Sequence, residues 1–172
     1  MRVLRILAMG VVALALAAGL TAGETKAAAG KSDPGFEKLK SLAGDWEGKA
    51  DDGKSVKATY KVTSAGSAVA ETLQTSGEPE MLTVYHMDDG HLMMTHYCSL
   101  ANQPRMQAAM SSGDAQSLDF SYVGATNMAS ADADHMHHLV FRFEDTNHFS
   151  EQWTMKGKGH EMTVAFHLER KK

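Results

Sequence analysis

The sequence contains a single cysteine, Cys98, and has no excess of basic residues. One thiol cannot form an intramolecular disulfide, so the fold has to be stabilised by packing. The 17 basic residues are outnumbered by 21 acidic ones, and no basic run occurs that could neutralise a phosphate backbone. Catalytic fingerprints such as Gly-x-Ser-x-Gly, His-Glu-x-x-His and the phosphate loop are also missing from the sequence. These absences exclude a nucleic-acid partner and give no support to the common enzyme classes.

The long apolar run is confined to the N-terminus. Arg2 and Arg5 precede an apolar stretch that ends near Leu20 and is followed by small residues. This stretch is shorter than the ~20 residues that a membrane span needs, so it predicts a signal peptide rather than an anchor. We expect a signal peptide over residues 1–23, with cleavage as late as residue 29, then a flexible linker over 24–33. The mature chain is then periplasmic or secreted, with no stable membrane insertion.

One short helix is predicted at the start of the remaining domain, residues 34–172. Phe36, Leu39 and Leu42 recur at helical spacing, and Ser32 or Asp33 can cap the start of the helix. Gly44 is suited to end it.

After Gly44 the apolar period changes to two residues, as in Val56, Ala58, Tyr60 and Val62. Short turn sequences separate the alternating runs, which makes successive strands antiparallel neighbours. Closing such a sheet removes its two exposed edges. The predicted fold is therefore all-β, an antiparallel up-and-down barrel of about ten strands, with residues 124–136 as a loop over one mouth. The expected strands are 45–51, 54–63, 67–75, 80–87, 91–98, 106–111, 116–124, 137–145, 148–155 and 160–169.

The stretch from Leu42 to Gly48 reads Leu-x-Gly-x-Trp-x-Gly and lies where the helix meets the first strand. It resembles the lipocalin-like, or calycin, barrels, and its full form is similar to the nitrobindin type. The resemblance implies that Gly44 and Trp46 belong to a motif at the closed end, with Arg170 packed across the tryptophan. It also implies haem as a cofactor, with His160 near the C-terminus as the iron ligand.

The stretch His96-Tyr-Cys-Ser-Leu-Ala-Asn-Gln-Pro-Arg-Met106 carries the candidate site. It resembles segments of uncharacterised secreted bacterial proteins. Strand alternation places His96 and Cys98 on one face, which we expect to point inward. Asn102 and Arg105 either line the pocket mouth and hold an anionic head group, or simply stiffen a strand connection.

Glu71 interrupts the apolar set of Val69 and Leu73. An inward glutamate is costly unless it is paired, and Arg105 or a histidine is the expected partner. The alternative is that this set faces the outside of the barrel, beneath the helix.

Three histidines, His135, His137 and His138, gather near the predicted mouth loop. Imidazoles bind transition metals, but without a fixed geometry such a group is more typical of an adventitious surface chelator than of a specific site.

The sequence therefore favours an exported binding protein that holds a small apolar or amphipathic ligand in a barrel cavity. The ligand-binding candidates are His96, Cys98, Asn102, Arg105 and Glu71. One alternative is the haem-binding protein that the resemblance implies, with His160 on the iron. The other is an enzyme that uses Cys98 as nucleophile and His96 as base.

Overall fold

The computed structural model describes residues 33–110 and 115–172. The predicted signal peptide and nearly all of the predicted linker lie outside these residues. Within these residues, one α-helix is followed by ten strands, with a short 3-10 turn at Ser64–Gly66 between the second and third strands. Their bounds are α1 Pro34–Ser41, β1 Gly44–Ala50, β2 Ser55–Thr63, β3 Ala68–Thr75, β4 Met81–Asp88, β5 His91–Tyr97, β6 Gln103–Ala108, β7 Ser117–Thr126, β8 His135–Phe143, β9 His148–Gly157 and β10 His160–Arg170.

The ten strands form one closed antiparallel barrel in which each strand pairs with its neighbours in sequence. The ring is closed by β1 and β10, with Trp46 opposite Arg170 and Ala50 opposite Phe166. The predicted fold class is therefore confirmed. Large apolar side chains from most strands meet in the lumen and form a single core.

The barrel differs from the predicted strand pattern around the sixth strand. Gln103 to Arg105 were expected to form a connection, but they pair with Gly124 to Thr126 of β7 and lengthen both strands. The expected loop over residues 124–136 is accordingly shorter, because β8 already begins at His135. Polar residues around a proline are typical of a turn, and only the partner strand makes this segment extended.

The helix closes one end of the barrel. The Asp33 side chain accepts a hydrogen bond from the Phe36 amide and so caps α1, as the sequence predicts. Below it, Trp46 is buried and its indole donates to the Leu42 carbonyl at 2.8 Å. The guanidinium of Arg170 lies 4.2 Å from the Trp46 ring centroid and donates to the carbonyls of Ser41 and Ala43. This one side chain thus ties the last strand to the helix end through a cation–π contact and two hydrogen bonds.

Gly48 on β1 lies opposite Leu168 of β10. A Cβ atom at this position would lie 1.8 Å from the carbonyl oxygen of His167 and 3.1 Å from the Cα of Leu168. Both of these are backbone atoms, which cannot rotate away as a flexible side chain can. A glycine is therefore required here for the barrel to close.

We expect Gly48→Ala to lower the free energy of unfolding by about 3 kcal/mol, because the added methyl group forces β1 and β10 apart. Urea unfolding followed by circular dichroism measures this change. Lys49→Ala, on the exposed neighbouring residue, is the control and should change stability by less than about 0.5 kcal/mol. Equal stabilities of the two variants would contradict the close approach of these strands.

Candidate functional site

Two glutamates point into the apolar lumen from opposite sides of the barrel. On β3, Glu71 lies between the inward residues Val69 and Leu73, and its fractional exposure is 0%. On β9, Glu151 lies in the same way between Phe149 and Trp153, also with 0% exposure. The alternative that the Glu71 face points outward beneath the helix is therefore wrong.

The partners of these carboxyls are aromatic side chains. Glu151 accepts one hydrogen bond from the Tyr60 hydroxyl and another, of 2.9 Å, from the Trp153 indole. Glu71 accepts one from the Tyr85 hydroxyl at 2.6 Å through Oε2, while its Oε1 has no donor among the described residues. Glu151 is thus the better-stabilised carboxylate of the two.

Burial raises the pKa of both carboxyls, and the charge on Glu151 raises that of Glu71 further. The two groups titrate as a coupled pair. Because Glu151 holds two donors and Glu71 only one, the first proton of the pair resides mainly on Glu71. Burial likewise raises the pKa of Tyr60 and Tyr85, which therefore remain neutral hydroxyl donors.

His96 extends this polar cluster onto β5. Its Nδ1 lies 2.9 Å from the Thr83 hydroxyl, and its ring centroid lies 4.7 Å from that of Trp153. Burial lowers the pKa of His96 to about 4, so the imidazole is neutral near pH 7. Its Nε2 is buried and has no partner among the described residues. We call the seven residues of this arrangement the lumen cluster: Tyr60, Glu71, Thr83, Tyr85, His96, Glu151 and Trp153.

Cys98 is buried at the end of β5, on the same side of the chain as His96. Its backbone anchors the following turn, with its amide donating to the Asn102 carbonyl and its carbonyl accepting from Ala101. Burial raises the pKa of the thiol, and His96 is not among the groups that lower it. The surroundings of Cys98 therefore favour a protonated, unreactive thiol.

Asn102 and Arg105 do not join His96 in the lumen. Asn102 is buried, but its amide nitrogen donates to the Asp134 carbonyl and so ties two loops together at the mouth. Arg105 is exposed between buried Pro104 and Met106, so it lies on the outer face of β6. The expected pairing of Glu71 with Arg105 or a histidine is therefore wrong, because Tyr85 is the hydrogen-bond partner.

His160 lies at the start of β10, on the rim of the barrel. Its side chain is 47% exposed, and its Nε2 lies 3.7 Å from the carboxylate of Asp134. Phe166, the register partner of Glu151, is six residues further along β10, so about 20 Å of strand separates His160 from that level. His160 shares the strand parity of the inward residues Phe166 and Leu168, but at the rim its imidazole is half exposed and lies beside a carboxylate, so its described surroundings give the haem assignment no support.

Of the three histidines that the sequence places together, only His135 and His137 have side chains that contact each other at the mouth. The imidazole of His138 lies instead 2.7 Å from the Asp119 carboxylate. The His135 and His137 nitrogens lie 3.2 Å apart, and both rings pack against Tyr122. Within residues 33–110 and 115–172, no group of three or more histidine, cysteine, aspartate or glutamate side chains is placed to hold a metal ion. No helix in the same residues is long and apolar enough to cross a membrane.

Sequence reasoning found Glu71 and His96 but missed Glu151 and its aromatic donors. The signal for Glu151 is the same as for Glu71, a carboxyl residue within an inward apolar set, here Phe149 and Trp153. The tyrosines carry no such signal, since an inward Tyr60 or Tyr85 is equally typical of an ordinary barrel core.

We expect Glu71→Gln to stabilise the protein at pH 8, with a gain that fades toward pH 4. The pKa of Glu71 is higher in the folded protein than in the unfolded chain. Its contribution to stability is therefore greatest below the pKa of the unfolded chain and is lost as the pH rises through the pKa of the folded protein. Glutamine does not ionise and avoids this loss. Thermal unfolding of both proteins from pH 4 to pH 8 measures the difference.

Glu151→Gln is the matched comparison. It should lower the free energy of unfolding by about 1–3 kcal/mol, because an amide NH2 would face one of the donors Tyr60 and Trp153. Equal effects of the two substitutions would contradict the division of roles between the carboxyls.

Cys98 should react with a thiol reagent at pH 7.5 roughly tenfold or more slowly in the folded protein than in guanidinium chloride, because it is buried and protonated. Absorbance during labelling measures both rates. Fast labelling of the folded protein would instead support the nucleophile role considered from the sequence.

Comparisons with known proteins leave the family open. No family model matches the sequence, and no curated protein matches it. Among solved structures, the chain is similar to a DUF3598-family protein of unknown function from Nostoc punctiforme, with 11% identity and a TM-score of 0.44. The match covers 78% of this chain and 49% of that one, so the chain spans about half the length of that protein. A likeness at this level supports no inference about the site, and the resemblance to nitrobindin-type barrels stays a prediction.

Proposed function

We propose that this barrel is a binding protein for a small amphipathic molecule, whose polar end meets Glu71 and His96 in the lumen. The observation that carries the proposal is that Glu71 Oε1 and His96 Nε2, both in the lumen cluster, are buried without a hydrogen-bond partner among the described residues. Two further buried atoms without a partner in the described part of the chain, on Asn102 and Asp134, lie at the mouth. Buried polar atoms in proteins are nearly always paired, and leaving one unpaired costs about 1–3 kcal/mol. A ligand with hydrogen-bonding groups would pair Glu71 Oε1 and His96 Nε2.

The two atoms belong to one row of side chains across the barrel wall. Tyr60, Glu71, Thr83 and His96 are successive register partners on β2, β3, β4 and β5. Inward side chains at paired positions of neighbouring strands lie side by side on the wall of the lumen. The row therefore presents a continuous set of hydrogen-bonding groups to a molecule that enters the barrel.

Apolar side chains lie between this row and the open mouth. Met81 and Met136 are partly buried against the core, and Met162 on β10 is 58% exposed. Thioether side chains adapt to ligands of different shape. They suit the apolar part of an amphipathic ligand.

The polar end of the ligand is not an anion. Arg105, which the sequence offered as the anion-binding residue, is exposed on the outer face, and two carboxyl groups already occupy the lumen. A further carboxylate from a ligand would be repelled there.

We also propose that the protein acts outside the cytoplasm, on the basis of the apolar segment within residues 1–23.

The test is native mass spectrometry of the full protein purified from its own host, in wild-type form and as His96→Phe. We expect a co-purifying small molecule that the variant loses, because phenylalanine keeps the volume of the imidazole but removes both nitrogens. His91→Phe, on the exposed face of the same strand, is the control and should keep the molecule.

Tryptophan fluorescence is the second readout. Trp153 packs against His96, whereas Trp46 is buried at the closed end, so a ligand in the lumen changes the emission of Trp153. A wild-type protein that carries no extra mass, and whose fluorescence does not respond to a small-molecule extract of the host, would rule the proposal out.

A further inference from the structure

We propose that the ligand is an organic cation, a primary amine whose ammonium group binds among Glu71 Oε1, His96 Nε2 and the Glu151 carboxylate. This inference rests on the proposed function, since it assigns a chemical class to the ligand of the same lumen site. It goes further by making the buried carboxyl pair the recognition element.

The charges in the lumen argue for a cation. Among the described residues, the buried side chains include Glu71 and Glu151 but no lysine or arginine. Two buried carboxyls without a cationic partner cannot both ionise at low cost, so the free protein keeps a proton on the pair. An ammonium group beside them would leave the ionised pair with the same net charge of about −1 that it has when it holds one proton.

The acceptor atoms also suit an ammonium group. Glu71 Oε1 lacks a donor, and neutral His96 can accept at Nε2 when its Nδ1 donates to the Thr83 hydroxyl. Glu71 and His96 are two strands apart in one row, about 10 Å at the backbone, and both side chains reach inward from a curved wall. An ammonium group has three donors, enough for these two atoms and the Glu151 carboxylate.

Aromatic side chains surround the same place. Tyr60 and Tyr85 donate to the two carboxyls, and Trp153 stacks on His96. These groups direct hydroxyl and indole N–H donors at the carboxyls and exclude water from them. An alcohol of the same shape would not carry the positive charge that two ionised carboxyls require.

The proposal has a defined pH dependence. The titratable groups that face the site are Tyr60 from β2, Glu71 from β3, Tyr85 from β4, His96 from β5 and Glu151 from β9. Only the carboxyl pair changes charge between the low pKa of His96 and the raised pKa values of the tyrosines. Amine binding therefore releases a proton, and the affinity rises as pH increases toward the raised pKa of the pair.

The experiment is isothermal titration calorimetry of the full protein with n-alkylamines, n-alkanols and n-alkanoates of four to eight carbons. We expect amines to bind at least tenfold more tightly than alkanols of equal length, and alkanoates to bind more weakly than both. Titration at pH 6 and pH 8, in phosphate and in Tris, measures the proton release. We expect about one proton per amine and tighter binding at pH 8.

Glu71→Gln is the decisive variant, because it keeps the shape of the side chain and is expected to fold. It should lower amine affinity at least tenfold, and by a clearly larger factor than it lowers alkanol affinity. Glu47→Gln, on the exposed face of β1, is the control and should bind amines as the wild type does.

Three results would overturn the cation assignment. If alkanols bind as tightly as amines, the ligand is a neutral molecule. If amines bind without proton release, the ammonium group does not replace the proton of the carboxyl pair. In both cases the proposed function stands. If none of the three series binds, the cation assignment is wrong, and the mass measurement on host-purified protein separately decides the proposed function.

Discussion

The pairing of β1 with β10 is the interaction on which the rest of the structure depends. It converts a ten-stranded meander into a closed ring, and without it the inward side chains would face solvent. Gly48 allows the two backbones to come together, and Arg170 fixes the end of β10 against the helix that closes the barrel. Closure also brings β3 and β9 to opposite sides of one lumen, where Glu71 and Glu151 meet.

The two ends of the barrel differ in their physical character. The closed end is filled by aromatic side chains in edge contact, among them Trp46 and Phe149 with ring centroids 4.6 Å apart. Toward the open end, the core gives way to buried polar groups that satisfy one another only in part. Aromatic packing at the closed end stabilises the barrel. This stabilisation offsets the free-energy cost of the buried polar cluster toward the open end. The cost is consistent with a role in binding, because a polar cluster that served the fold alone would be expected to pair all of its atoms.

Much of the fold could be predicted from local patterns. The Asp33 cap, the spacing of Phe36 and Leu39, and the two-residue alternation of ten strands all depend on residues close in sequence. The prediction of a turn at Gln103-Pro104-Arg105 was wrong, because these residues pair with β7 despite their preference for turns. Within the site, alternation correctly placed His96 inward and identified Glu71 as a polar residue in an apolar set. It could not indicate that Arg105 points outward and that Tyr85 is the partner of Glu71, since both depend on the register between strands.

The sequence by itself determined the period of each strand, the capped helix and the set of residues able to face inward, because these follow from backbone geometry over a few residues. The tertiary structure alone decided which inward residues meet. Glu71 and Glu151 lie on strands far apart in the chain, and their mutual effect on pKa arises only after the ring closes and removes both from water. Coulomb interactions and desolvation depend on distance in space and on burial, and neither can be obtained from spacing along the chain.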